Sequence, residues 1–178
     1  MKQKFNWIWC FVLLFTALSL QAADLKEGDL APTFKIKDQK GQEFDLQDRK
    51  VKAQWTVLYF YPAAETPGCT KQACAFRDGI EKIRKLNADV IGVSINSVED
   101  QAGFAKHHNL NFTLLADEDA TVTKLYGSKM PILKMSKRWT FILDPQLKIR
   151  AINRDVDPVK DATQVAEKIE SLQKSPVN

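Results

Sequence analysis

Val57-Leu58-Tyr59-Phe60-Tyr61 is an unbroken run of apolar and aromatic residues, and Pro62 closes it. A run of this kind reads as a buried strand. Two more follow. Asp89-Val90-Ile91-Gly92-Val93-Ser94-Ile95 repeats the pattern, and Thr140-Phe141-Ile142-Leu143 repeats it again before Asp144-Pro145. Between and after them apolar residues recur at helical steps: Cys69, Ala73, Phe76, Ile80 and Ile83 in one segment, and Ala162, Val165, Ala166, Ile169 and Leu172 in another. Shorter helices are expected over residues 98–108 and 120–125. Buried strands that alternate with amphipathic helices predict an α/β domain of three layers, with a mostly buried central sheet flanked by helices.

The chain has 178 residues, with 44% hydrophobic and 27% charged, which suits one globular domain and excludes fibrous or disordered classes. A formal charge of +4 is too small to serve as an electrostatic footprint for nucleic acid. There is no repeat and no Gly/Ser-rich linker.

Residues 1–22 stand apart from the rest. Lys2 and Lys4 precede the apolar run Trp7-Ile8-Trp9-Cys10-Phe11-Val12-Leu13-Leu14-Phe15, and Ser19-Leu20-Gln21-Ala22-Ala23 ends the stretch. This positive, apolar and small-residue order is that of a secretory signal, with cleavage expected after Ala22 and one domain over residues 23–178. If the segment stays uncleaved it forms a membrane anchor facing the same compartment. Either way the domain is expected to be periplasmic or otherwise exported. Cleavage removes Cys10 and leaves Cys69 and Cys74 where thiols tend to oxidise.

These two cysteines lie just past the first strand. In Pro62-Ala63-Ala64-Glu65-Thr66-Pro67-Gly68-Cys69-Thr70-Lys71-Gln72-Ala73-Cys74, Thr66-Pro67 marks a helix N-cap with proline at the first helical position. Cys69 is then the third helical residue, where free N–H groups and the helix dipole favour a thiolate over a thiol. At 100° per residue, Ala73, Phe76, Ile80 and Ile83 fall within roughly 40° of Cys69, so its sulfur belongs to the inward stripe and is expected at the bottom of a pocket. Cys74 lies about 140° round the helix. In an ideal helix the two Cα atoms stand about 8.7 Å apart, beyond the roughly 7 Å limit for a disulfide. A bridge requires the first turns to unwind, which describes a redox cycle better than a static staple. The other reading is a fixed disulfide in a segment that is never helical.

The segment resembles the active-site motif of the peroxiredoxins. Its Cys-x4-Cys spacing is similar to that of the bacterioferritin comigratory protein (PrxQ) subgroup of the AhpC/TSA superfamily. The resemblance covers residues 25–172. It includes Ile91-Gly92-Val93-Ser94, Phe112-Thr113-Leu114-Leu115-Ala116-Asp117, Lys124-Leu125-Tyr126-Gly127 and Arg138-Trp139-Thr140-Phe141-Ile142-Leu143-Asp144. It implies a thioredoxin-like fold that reduces hydrogen peroxide and organic hydroperoxides, with Cys69 peroxidatic and Cys74 resolving. It further implies that Thr66 positions the peroxide, Pro62 shapes the pocket, and Arg138 favours the thiolate and the developing negative oxygen. The expected partners are peroxide substrates and a thioredoxin-like dithiol reductant, with no cofactor, no metal and a monomeric chain. Ala63, Ala64, Gln101, Trp139 and Leu147 depart from the residues usual in the subgroup. His107 and His108, near a helix end, are assigned no role.

Two other functions fit an exported chain on this fold. A thioredoxin-like disulfide oxidoreductase is expected to carry Cys-x-x-Cys, which is missing here. A copper-binding chaperone would join two cysteines to a histidine, His107 or His108.

Overall fold

The computed structural model describes residues 24–174. The expected signal segment with Cys10 lies outside the described residues. In chain order the elements are β1(Lys35–Lys37), β2(Glu43–Asp45), α1(Gln47–Val51), β3(Trp55–Phe60), α2(Pro67–Lys85), β4(Ala88–Ser94), α3(Val98–His107), β5(Thr113–Ala116), α4(Thr121–Leu125), β6(Trp139–Leu143), β7(Ile149–Asn153) and α5(Asp161–Lys174).

The three apolar runs form the three inner strands of a five-stranded sheet ordered β5-β4-β3-β6-β7. β3 sits at the centre, parallel to β4 and antiparallel to β6, and all six of its residues are buried. Its side chains divide by the two-residue period of a strand. Trp55, Val57 and Tyr59 enter one core with Phe76, Ile80 and Ile83 of α2 and Val165 and Ile169 of α5. Leu58 and Phe60 enter the opposite core with Phe34, Leu46, Val122 and Tyr126. Three layers result, as the alternation of strands and helices predicts.

Close packing at the sheet centre fixes one glycine. A Cβ on Gly92 would stand 2.7 Å from the Tyr59 hydroxyl oxygen and 2.8 Å from a Leu114 methyl carbon. The Tyr59 ring therefore lies where any larger residue at 92 would need space. The outer strands go beyond the sequence expectation. β1 and β2 pair as an antiparallel hairpin, and β7 extends the sheet beside β6. Among the described residues no helix is long and apolar enough to cross a membrane.

Because β3 is central and runs straight into the loop before α2, that loop emerges at the carboxyl end of the middle strand. Open α/β sheets place their ligand crevices at this end.

Candidate active site

Helix α2 begins as the sequence predicts, with one difference in chemistry. Thr66 is the N-cap in extended conformation (φ −78°, ψ 147°) and Pro67 follows at the first helical position. The first helical bond runs from Thr70 N–H to Thr66 O at 2.9 Å. The Thr66 hydroxyl makes no cap bond to the helix and instead donates to Ala63 O at 3.0 Å. Thr66 thus caps by backbone conformation, and its side chain braces the preceding loop. The loop is further held by Ala64 N–H donating to Asn96 Oδ1 at 2.9 Å.

Cys69 is the third residue of α2 and only 1% exposed. It packs in the same core as Ala73, Phe76, Ile80 and Ile83, which is the stripe read from the sequence. Beside it lies Arg138, in the stretch just before β6, with Nη2 donating to Cys69 Sγ at 3.4 Å. The guanidinium is not free to swing. Its Nη1 donates to Gln72 Oε1 at 2.6 Å, while Gln72 Nε2 donates to Asp161 Oδ2 at 2.7 Å. The Thr140 hydroxyl donates to the same Asp161 oxygen at 2.8 Å. A chain of polar contacts thus runs from the sulfur through Arg138 and Gln72 to a buried carboxyl on α5.

Burial pushes the Asp161 carboxyl above its ordinary range, and the hydrogen bonds from Gln72 and Thr140 and the Arg138 charge oppose that rise. Its second oxygen, Oδ1, is buried without a hydrogen-bond partner. Gly68 gives Arg138 its room, since a Cβ there would stand 3.1 Å from Nη2.

Cys74 is half-buried on the same helix and outside the apolar core around Cys69. Both thiols are free, and α2 is continuous from residue 67 to 85. Pro62 is half-buried next to the fully buried Tyr61. The Tyr61 hydroxyl donates a very short bond to Gln101 Oε1, and Gln101 Nε2 donates to Ser94 Oγ at 2.9 Å and Leu115 O at 2.8 Å. Gln101 therefore anchors α3 to the strand ends beneath the loop. The fold thus brings Pro62, Thr66, Cys69 and Arg138 to the carboxyl end of β3, and sets Cys74 almost one and a half turns down α2.

Residues 28–152 match the family model described as "AhpC/TSA family". The chain is 41% identical to Peroxiredoxin Q, chloroplastic, of Sedum lineare over 152 residues, covering 84% of this chain and 81% of that one. It is 46% identical to Peroxiredoxin Bcp of Escherichia coli K12 over 103 residues, covering 58% and 65%. Among solved structures it is similar to peroxidoxin BcpB of Mycobacterium tuberculosis, with a TM-score of 0.76 and 32% identity over 83% of this chain and 98% of that one. A cysteine-to-serine mutant of Xylella fastidiosa PrxQ gives 0.78 and 26%, over 85% and 99%. The chain belongs to the AhpC/TSA family. It carries a thioredoxin-like peroxiredoxin fold and is a thiol-dependent peroxidase.

Peroxiredoxin chemistry needs an ionised sulfur and a donor for the departing oxygen; the Cys69 sulfur has the Arg138 guanidinium beside it. Two residues of this site escaped the sequence reading, Gln72 and Asp161. Gln72 had a local signal, a polar side chain three residues from Cys69 at the edge of an apolar stripe. Asp161 had none, being 89 residues from Gln72. The copper-chaperone ligand set is not assembled, because among the described residues neither cysteine joins a histidine in a group able to hold a metal. Trp139 is a packing residue with cations on it: Lys137 Nζ lies 4.5 Å and Arg154 Cζ 4.9 Å from its ring centre.

Proposed function

We propose that Cys69 is the peroxidatic thiol of this peroxidase and Cys74 its resolving thiol. The Cys69 thiolate attacks one oxygen of the peroxide, an S–O bond forms as the O–O bond breaks, and the departing oxygen takes up a proton as water or alcohol. Cys69 is left as a sulfenic acid. The Cys74 sulfur then displaces hydroxide from it, which leaves with a proton as water, and a Cys69–Cys74 disulfide remains. A thioredoxin-like dithiol protein resets the enzyme by exchange, being oxidised as the disulfide is reduced. Hydrogen peroxide and organic hydroperoxides are the substrates, and one chain carries the whole cycle.

The observation that carries this assignment is the Arg138 Nη2 contact on Cys69 Sγ at the first turn of α2. Thr66, the N-cap three residues before Cys69, holds the loop through its hydroxyl, and the family resemblance gives it the role of positioning the peroxide. Pro62, half-buried just past the strand end, takes its pocket-shaping role from the same resemblance. The signal pattern in residues 1–22 supports work outside the cytoplasm, where the reductant must also be exported.

The test is to reduce the protein, add about one equivalent of hydrogen peroxide, and titrate thiols in wild type, Cys69→Ser and Cys74→Ser. Both thiols should vanish in wild type, Cys74 should survive in Cys69→Ser, and Cys74→Ser should hold a trappable sulfenic acid. Thiol loss in Cys69→Ser at the wild-type rate would overturn the assignment.

A further inference from the structure

Glu65 precedes the N-cap residue Thr66, and its carboxylate meets two adjacent histidines across the loop. His107 Nδ1 lies 3.3 Å from Glu65 Oε1, and His108 Nε2 lies 2.9 Å from Oε2. One ligand atom from each of the three residues falls within 4.8 Å of the others. The two histidines converge because α3 ends between them: His107 is its last residue, and His108 leaves the helix at φ −104°, ψ 9°.

We propose that Glu65, His107 and His108 form a binding site for a divalent cation of the zinc class, one that ties the Pro62–Thr66 loop to the end of α3. This goes beyond the peroxidase cycle and does not rest on it.

The donor set suits such an ion. Two imidazole nitrogens and a carboxylate are borderline ligands of the kind zinc takes, with a fourth position left to solvent. At metal–ligand distances of about 2.0–2.1 Å, tetrahedral donors stand about 3.3 Å from one another. Each histidine nitrogen already lies near that spacing from one carboxylate oxygen, His107 from Oε1 and His108 from Oε2. From within 4.8 Å of one another the three donors have to draw in around the ion, and His107, with 73% of its side chain exposed, is free to turn.

One side of the site is firmly held. The Arg77 Nη1 group donates to His108 O at 2.8 Å, and the His108 ring packs edge-on against Phe104 at 5.2 Å between centres. The other side is the loop, where Glu65 sits in the left-handed region at φ 62°. A cation would thus fasten the loop that leads into α2 to an anchor that Arg77 already ties to α2.

Thiols also bind zinc, so the test removes them. Zinc chloride is titrated by calorimetry into Cys69→Ser/Cys74→Ser, and then into the same background carrying His107→Ala or Glu65→Gln. The expected result is one ion per chain, with roughly tenfold or greater weakening in each added variant. Zinc should also slow amide exchange at Ala64 and Thr66 in the parent and leave it unchanged with His107→Ala. Because His107 is mostly exposed, its variant should keep the parent's melting temperature, and a matched melt checks this. Equal affinity in parent and variants, or no heat at large zinc excess, would overturn the site; unchanged exchange in zinc-loaded parent would overturn the clamp.

Discussion

Replacing Gly68 by alanine separates the geometry of the site from the stability of the helix. The new Cβ would stand 3.1 Å from Arg138 Nη2 and 3.8 Å from Cζ, too close to Nη2 by a few tenths of an ångström. Arg138 must yield, but its other arm is held at 2.6 Å by Gln72. The available motion is a rotation that takes Nη2 from its 3.4 Å contact on Cys69 Sγ to about 3.9 Å. At an effective dielectric constant of about 20, that change weakens a unit-charge attraction by about 0.6 kcal/mol. Losing a charged hydrogen bond altogether would cost about 1.5 kcal/mol at the low end. The rate of reaction with hydrogen peroxide should therefore fall between about threefold and about tenfold. Stability should move the other way, since alanine in place of glycine in a helix gains up to about 1 kcal/mol. Stopped-flow oxidation of the reduced protein measures the rate, and thermal unfolding measures the helix. A Gly68→Ala protein at full rate would refute the argument that the Arg138–sulfur contact sets reactivity. So would a rate loss that merely follows a loss of stability.

Asp161 gives a pH signature. Its folded carboxyl ionises above the unfolded one, so between the two values the native state holds the extra proton and stability falls as pH rises. Asp161→Asn keeps an acceptor for Gln72 and Thr140 and should remove that fall in denaturant unfolding followed from pH 3 upward; superimposable pH profiles would count against it. Gly92→Ala forces a carbon to within 2.7 Å of the Tyr59 ring, an overpacking that costs about 1–3 kcal/mol and should lower the melting temperature by about 3–10 °C. An unchanged melt would mean that the sheet centre can relax. Oxidation to the Cys69–Cys74 disulfide should expose the amides of residues 70–74 to hydrogen exchange, whereas identical exchange in both redox states would show that the bond forms without unwinding.

What was legible in the sequence is what one element encodes by itself. The placement of Cys69 at the third residue of α2 follows from Thr66-Pro67, and its burial follows from the spacing of Ala73, Phe76, Ile80 and Ile83, all within one helix. The inner strands were visible because each is a continuous apolar run. β1 and β2 were not, being three residues each with charged residues at their ends, and β7 carries only half-buried positions after Ile149. Arg138 looks like a surface cation from its neighbours alone. Its partner Gln72 is 66 residues away, so only the fold shows its place beside Cys69, while its role rests on the family resemblance. The Glu65 contacts with His107 and His108 span 42 and 43 residues, and no local periodicity encodes them.

Gln72 has a second consequence in the proposed cycle, because it lies between the two cysteines on the helix that a Cys69–Cys74 bond would open. Joining Cys69 to Cys74 would unwind the turns that contain Gln72, and would thereby release the bonds to Arg138 and Asp161 that it makes from the intact helix. These contacts therefore stabilise the dithiol form against the disulfide, which makes the couple more oxidising than the same cysteines would be without them. Hydrogen bonds to charged groups contribute about 1.5–3 kcal/mol each, and Arg138 is only half-buried, which reduces its share. A net 1.4–2.8 kcal/mol corresponds to about 30–60 mV for two electrons. Gln72→Leu should accordingly lower the reduction potential of the Cys69–Cys74 couple by about 30–60 mV in equilibrium titration against a dithiol buffer. An unchanged potential would mean that the disulfide forms with Gln72 still seated on Asp161, and that the opening is confined to the turn before it.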